Sequence, residues 1–234
     1  MRLLKRTILI LLSILFIIIA AILGTAIFYY KTVHPRTAKL STVLQPGERG
    51  ALVNPFSGTG GYPWMCAYNH PGAQTPYGMV RLSPETASIL LNKKGFSTAG
   101  YFYGDNKIVG FSHTRLNGTG AADGGHFLIV PAIGDKAVKN YRDEKYHRFS
   151  HARETAFPGY YAVDFHKRGI IAELTATPRV GVHRYTFRKN HEPHILFDIS
   201  HAIGDGRSKD ATVEIIKEDN EIIGSVRTFG SCSG

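Results

Sequence analysis

Apolar positions divide the chain into two unequal parts. Thr7 to Tyr30, TILILLSILFIIIAAILGTAIFYY, runs for 24 residues without a charge. As a helix it spans roughly 36 Å, enough to cross a hydrocarbon core of about 30 Å with some tilt. Beyond Gly50 the period shortens to two, and β-branched and aromatic residues dominate. GMVRLS (78–83), KIVGFS (107–112) and GHFLIVPA (125–132) read as strands. So do 146–151, 160–165, 170–177, 180–188, 194–199, 211–216 and 221–227. Turn signals separate them at HKRG (166–169), TPR (177–179), NHEP (190–193) and KEDN (217–220). Short strands at roughly ten-residue spacing predict an all-β fold. Its form is an antiparallel β-sandwich of about ten short strands, preceded by one transmembrane or signal helix. Asp135 to Lys145 suits a short helix and a loop equally. The organisation expected is an anchor over 1–30, a Pro/Ser/Thr-containing linker over 31–50 and a sandwich domain over 51–234.

The apolar run exceeds the 7–15 residues usual in a cleaved signal and favours an uncleaved anchor through residues 7–30. Small residues at Gly24 to Ala26 leave cleavage and secretion as the alternative. Both readings place the domain outside the cytoplasm. The Tyr29–Tyr30 pair suits an interfacial aromatic belt. The first forty residues carry six Lys/Arg and no acid, leaving 22 bases against 18 acids in the remainder. The net charge of +10 thus belongs mainly to the N-terminal segment. No basic stripe interleaved with aromatics follows, so nucleic acid is set aside as a partner. Cys66 and Cys232 are too few for a disulfide scaffold; a pair and two separate thiols both remain open.

Two segments stand out as candidate sites. Residues 52–84 are rich in Gly and Pro yet carry Phe56, Tyr62, Trp64, Tyr68 and Tyr77, which argues for an ordered recognition loop. Residues 109–125, VGFSHTRLNGTGAADGG, crowd His113, Arg115 and Asn117 at a strand end, before four glycines in eight residues. Neither glycine cluster has the Gly-Lys-Ser/Thr of a phosphate loop, nor a following helix. Asp198, His201 and Asp205 lie close in DISHAIGD, but no metal-ligand spacing is met, and Asp198 equally suits a buried carboxylate. No nucleophile elbow appears. Asp123, Glu173 and Asp198 are carboxylates beside strands, with Arg115, Arg179 and Arg184 as partners of opposite charge, and they yield no acid–base pair. A sugar-contacting surface is left, with aromatic rings for C–H faces and fixed polar groups for hydroxyls. A core role for Trp64 and the tyrosines stands beside it.

The motifs VNPFSGTGG (53–61), NHPGAQTPYGMVRLSPET (69–86), GFSHTRLNGTGAADGG (110–125), FPGYYAVDF (157–165) and AELTATPRVGVHRYTF (172–187) occur in that order. Together they resemble the N-terminal domain of glycoside hydrolase family 92. That resemblance implies a calcium-dependent, inverting exo-α-mannosidase acting on mannose-containing glycans, often α-1,2-linked. It also implies a second, (α/α)6-barrel domain, in cis or in trans, holding both catalytic acids and most calcium ligands. With the chain ending at Gly234 inside the sandwich pattern, the expectation is a fragment inactive alone, with no catalytic or metal residue assignable. Expected to contact sugar are Trp64, His70, His113, Arg115 and Asn117, with Asp123 contacting it or orienting the loop. A non-catalytic mannoside-binding module and the structural half of a split enzyme are the alternatives.

Overall fold

The computed structural model describes residues 2–61, 68–87, 97–134, 147–188, 192–204 and 206–230. Trp64, Tyr62, Cys66, Asp205, Cys232 and the 135–145 segment lie outside these. The helix α1 runs Arg2–Val33 and contains a stretch, Lys5–Val33, long and apolar enough to cross a membrane. Within it the Ser13 and Thr25 hydroxyls donate back to Leu9 O (2.9 Å) and Ala21 O (2.8 Å). That conceals the only hydroxyl donors of the apolar centre. The helix stops at Pro35, whose ring disfavours helical backbone at His34. The His34 ring N–H caps the end by donating to Tyr30 O at 3.0 Å.

The remainder is antiparallel β-structure. One sheet has the order β1 (Ala73–Gln74), β2 (Arg81–Thr86), β3 (Lys107–Ser112), β4 (Leu128–Ile133) and β10 (Pro193–Asp198), with β5 (His147–Arg148) also on β3. A second sheet is a meander of β6 (Glu154–Phe157), β7 (Tyr160–Phe165), β8 (Ile170–Ala176) and β9 (Gly181–Phe187). Among the described residues, a hairpin of β11 (Arg207–Ile216) and β12 (Glu221–Phe229) pairs with neither. The all-β expectation holds, and the strands at 107–112 and 160–165 keep their expected bounds.

The core lies between the two sheets. Leu82, Ile108 and Phe111 of the first meet Tyr161, Val163, Phe165, Ile170 and Leu174 of the second. Burying each large apolar side chain contributes roughly 1.5–3 kcal/mol, so this seam is the main cohesive term. β7 is buried along its whole length because its other face is also covered. Leu40 and Val43 lie there against Tyr160 and Ala162. The segment read as a linker is therefore laid on the domain, with Ala38 N–H donating to Glu154 O at 2.9 Å.

Glu154 is a polar node inside the seam. Wholly buried, it accepts from the hydroxyls of Tyr101 (2.9 Å) and Tyr161 (2.6 Å) and from the His151 ring (2.7 Å). A buried carboxylate persists only with such partners.

Candidate functional site at the end of β3

β3 ends at Ser112, and the chain enters the glycine-rich loop expected to carry a site. Its centre is Arg115, which turns inward. Nη1 donates to Ala99 O (2.7 Å), Nη2 to Ser83 O (2.9 Å) and Ser112 O (3.2 Å), and Nε to Arg81 O (3.2 Å). Beside it Glu85 accepts from the Ser112 hydroxyl and bonds the His201 ring at 2.6 Å, with Arg115 Nη2 at 3.9 Å. Burial pushes the Glu85 carboxyl up, but His201, Arg115 and Ser112 outweigh it and hold the group below its usual range. Burial lowers Arg115 to about 10, still charged at neutral pH. The loop is thereby clamped to β2, to residues 99–100 and to the segment carrying His201. Two glycines make room: a Cβ on Gly100 (φ +83°) would sit 2.8 Å from Arg115 Nη1, and one on Gly125 (φ +80°) 3.1 Å from Glu85 Oε1.

A second device ties the loop to the other sheet. His113 Nδ1 lies 2.8 Å from Phe127 O, His113 Nε2 lies 2.9 Å from His183 Nε2, and His183 Nδ1 lies 2.8 Å from Tyr185 Oη. A carbonyl only accepts, so His113 carries its proton on Nδ1. Its Nε2 then accepts from His183, whose Nδ1 accepts from Tyr185. One proton per bond satisfies the chain with both rings neutral. Burial lowers both rings; the Phe127 bond partly opposes this for His113, and His113 adds to it for His183, which falls to about 3.

The long loop meets this platform directly. Gly118 N–H donates to Tyr68 O at 2.7 Å, and the Tyr68 ring packs over Gly120. Asn69 N–H reaches Gly58 O at 3.4 Å and its amide reaches Ser57 O at 3.4 Å. Residues 68–70 are thus stitched to both glycine clusters. His70, only 4 % exposed, accepts at Nδ1 from Gly72 N–H at 3.2 Å. The ring proton therefore sits on Nε2, which has no partner among the described residues. Burial, then Arg115 and Arg81, lower its pKa well below the usual value; the Gln74 side chain, near enough to act on the ring but outside hydrogen-bonding geometry to Nε2, opposes them. Asn117 Oδ1, also buried, is a second atom without a partner among the described residues. Asp123 turns back on its own loop, accepting from Gly124 N–H at 2.7 Å, while Arg115 and Gly124 form an isolated bridge. Trp64 lies outside the described residues.

Other carboxylates noted in the sequence are occupied. Glu173 takes Arg184 Nε at 2.7 Å and the Tyr160 hydroxyl at 2.5 Å. Asp198 accepts from Ser200 N–H (3.1 Å) and hydroxyl (2.9 Å). His201 serves Glu85 and not a metal set. Among the described residues no group of three or more His, Cys, Asp or Glu side chains could hold a metal ion. Calcium takes six to eight oxygens, and these residues do not fit it, so no step here passes through calcium. Sequence reasoning missed Glu85, Ser112 and His183. Glu85 and His201 are 116 residues apart, and no local pattern links them.

Residues 52–234 match the family model described as the glycosyl hydrolase family 92 N-terminal domain. Among solved structures, the GH92 α-mannosidase BT3965 of Bacteroides thetaiotaomicron, in complex with mannoimidazole, is similar at 34% identity and TM-score 0.57. That match covers 67% of this chain and 20% of the other. The GH92 glycosyl hydrolase ccman5 is similar at 31% identity and TM-score 0.61, over 78% and 24% of the two chains. The inverting GH92 mannosidase BT2199 of the same Bacteroides is similar at 28% and 0.55, over 74% and 21%. The chain thus spans about a fifth to a quarter of the length of these structures. No curated protein matches it significantly.

Proposed function

Because the chain belongs to glycoside hydrolase family 92 through its N-terminal domain, we propose that it supplies the sugar-facing sandwich of a calcium-dependent, inverting exo-α-mannosidase acting on α-1,2-linked mannose. Alone it contacts mannosides weakly and does not cleave them. One observation carries this reading: among the described residues, the buried donor His70 Nε2–H and the buried acceptor Asn117 Oδ1 of the two interlocked loops have no partner. A sugar hydroxyl both donates and accepts, so it can serve either group, and leaving these groups empty is costly.

The division of labour follows from the carboxylates. Inverting hydrolysis needs an acid and a base about 6.5–9.5 Å apart with a water between them. Glu85, Glu154 and Glu173 are each committed to structural partners, so this chain's task is positioning. Arg115 and Glu85 fix the loop, the His113–His183 pair fixes its entry, and His70 and Asn117 meet the sugar. The acids and the calcium come from an (α/α)6 domain in cis or in trans. α1 acts as an uncleaved anchor that holds the sandwich outside the cytoplasm; secretion after cleavage is the alternative.

The test pairs two readouts on the purified full chain with α-1,2-mannobiose. Saturation-transfer NMR should show contact that is lost with cellobiose, and no mannose should be released. Release by the chain alone would contradict the division of labour. Absence of both contact and release would contradict the sugar-facing role and favour a purely structural half.

A further inference from the structure

The foot of the domain, where α1 arrives, is hollowed. A cleft of about 880 Å³ lies between the last three turns of α1 and the segment Tyr103 to Asn106, with His151 at its side. Its helix wall is Leu23, Ala26, Ile27 and Phe28, and its rim includes Lys31 and Arg36. The cleft is built, not accidental. Thr32 is buried against Gly60, where any Cβ would strike Thr32 O. Phe28 packs on Phe102 at 6.4 Å and would lie 2.9 Å from a Cβ on Gly104. Tyr103 Oη accepts from Arg36 N–H (3.0 Å) and donates to Arg36 O (3.1 Å), which fixes the rim through backbone and leaves the exposed guanidinium out of these bonds.

Depth in the bilayer decides what such a cleft meets. About 20 helical residues cross the hydrocarbon core, so a span starting at Thr7 leaves it near Ala26. The apolar wall then sits at the edge of the acyl region, and Lys31 and Arg36 sit among headgroups. Basic side chains there attract anionic lipid. Asp105, the one acid among the described residues lining the cleft, is buried and already accepts the Thr86 hydroxyl at 2.7 Å.

We propose that this cleft holds one anionic glycerophospholipid, an acyl chain along Leu23 to Phe28 and the phosphate beside Lys31 and Arg36, which seats the domain on the membrane. The site rests on α1 being retained as an anchor. The experiment uses the full chain extracted in mild detergent. Its intact mass is read first, followed by native mass spectrometry with added dioleoyl phosphatidylglycerol, dioleoyl phosphatidylcholine or inorganic phosphate. A retained α1 and a one-to-one phosphatidylglycerol adduct, at least tenfold tighter than phosphatidylcholine and absent with phosphate, are expected. K31Q/R36Q should weaken it tenfold or more, as should Ala26→Trp, which fills the cleft without changing charge. Lys39→Gln removes a nearby charge outside the cleft and should leave it intact. Equal binding of the two lipids, binding of phosphate alone, or an equal loss in Lys39→Gln would overturn the site while leaving the anchor standing. A mature chain beginning after α1 would overturn both.

Discussion

Arg115 and His70 are equally hidden, 4 % exposed each, and opposite in use. Arg115 places its donors on four backbone carbonyls and lies near Glu85; His70 uses one ring nitrogen, and the other has no partner among the described residues. Folding removes water from both, so the difference marks two roles. A satisfied buried charge holds the chain in place. An unsatisfied buried donor on the adjoining loop is a cost that a ligand can relieve. Stability and sugar contact should therefore separate by mutation.

The largest break is Arg115→Met, which leaves Glu85 buried with a weakened partner set and four carbonyls short of a donor. A destabilisation of about 3–5 kcal/mol is expected, read by denaturant unfolding of the full chain in detergent. Next is Gly100→Ala. A side chain at φ +83° is strained, and its Cβ would crowd Arg115 Nη1, so the same assay should show a loss of about 1–2 kcal/mol.

Acid should act through buried histidines, the His113–His183 pair among them. Both rings have folded pKa values below the unfolded 6.5, so the unfolded chain binds more protons as pH falls. Their contribution is complete above pH 6.5, declines below it, and for His183 is gone once pH passes below about 3. The slope is at most about 1.4 kcal/mol per pH unit per ring. Melting temperature should drop between pH 7 and pH 5, and His183→Phe should flatten that drop. Unchanged slopes would show that the pair does not titrate on unfolding. The smallest effect on stability belongs to His70→Asn. Asn can still accept from Gly72 N–H, so stability should stay within about 1 kcal/mol while mannoside contact weakens tenfold or more.

Alternating apolar positions made strands such as β9 and β10 legible, because each turns one face from solvent. By contrast β7, covered on both faces, read as a strand from its β-branched and aromatic run. β1 is too short to leave a pattern, and β6, ETAF, places its acid in the interior. The strand expected at 78–83 forms instead at Arg81–Thr86, with Pro84 inside it opposite Phe111. The segment after Lys31 read as a linker because its anchors, Leu40 and Val43, are spaced without a period. At the site, crowding of His113, Arg115 and Asn117 was visible in sequence, but direction was not. Arg115 turns inward because Glu85 and the carbonyls of 81, 83 and 99 converge there, a tertiary fact. Asp123 spends an oxygen on its own loop, and His70 declares itself only through the proton that Gly72 forces onto Nε2.

The most direct measurement is the histidine ring ¹H–¹⁵N spectrum of the full chain, titrated with methyl α-mannopyranoside, with His70→Asn used to assign the resonance. The account predicts that the His70 Nε2–H signal shifts in a saturable way while the His113 and His183 signals, bonded to each other, hold. A His70 signal indifferent to the sugar in a folded chain would contradict the claim that this unpaired donor is kept for the ligand.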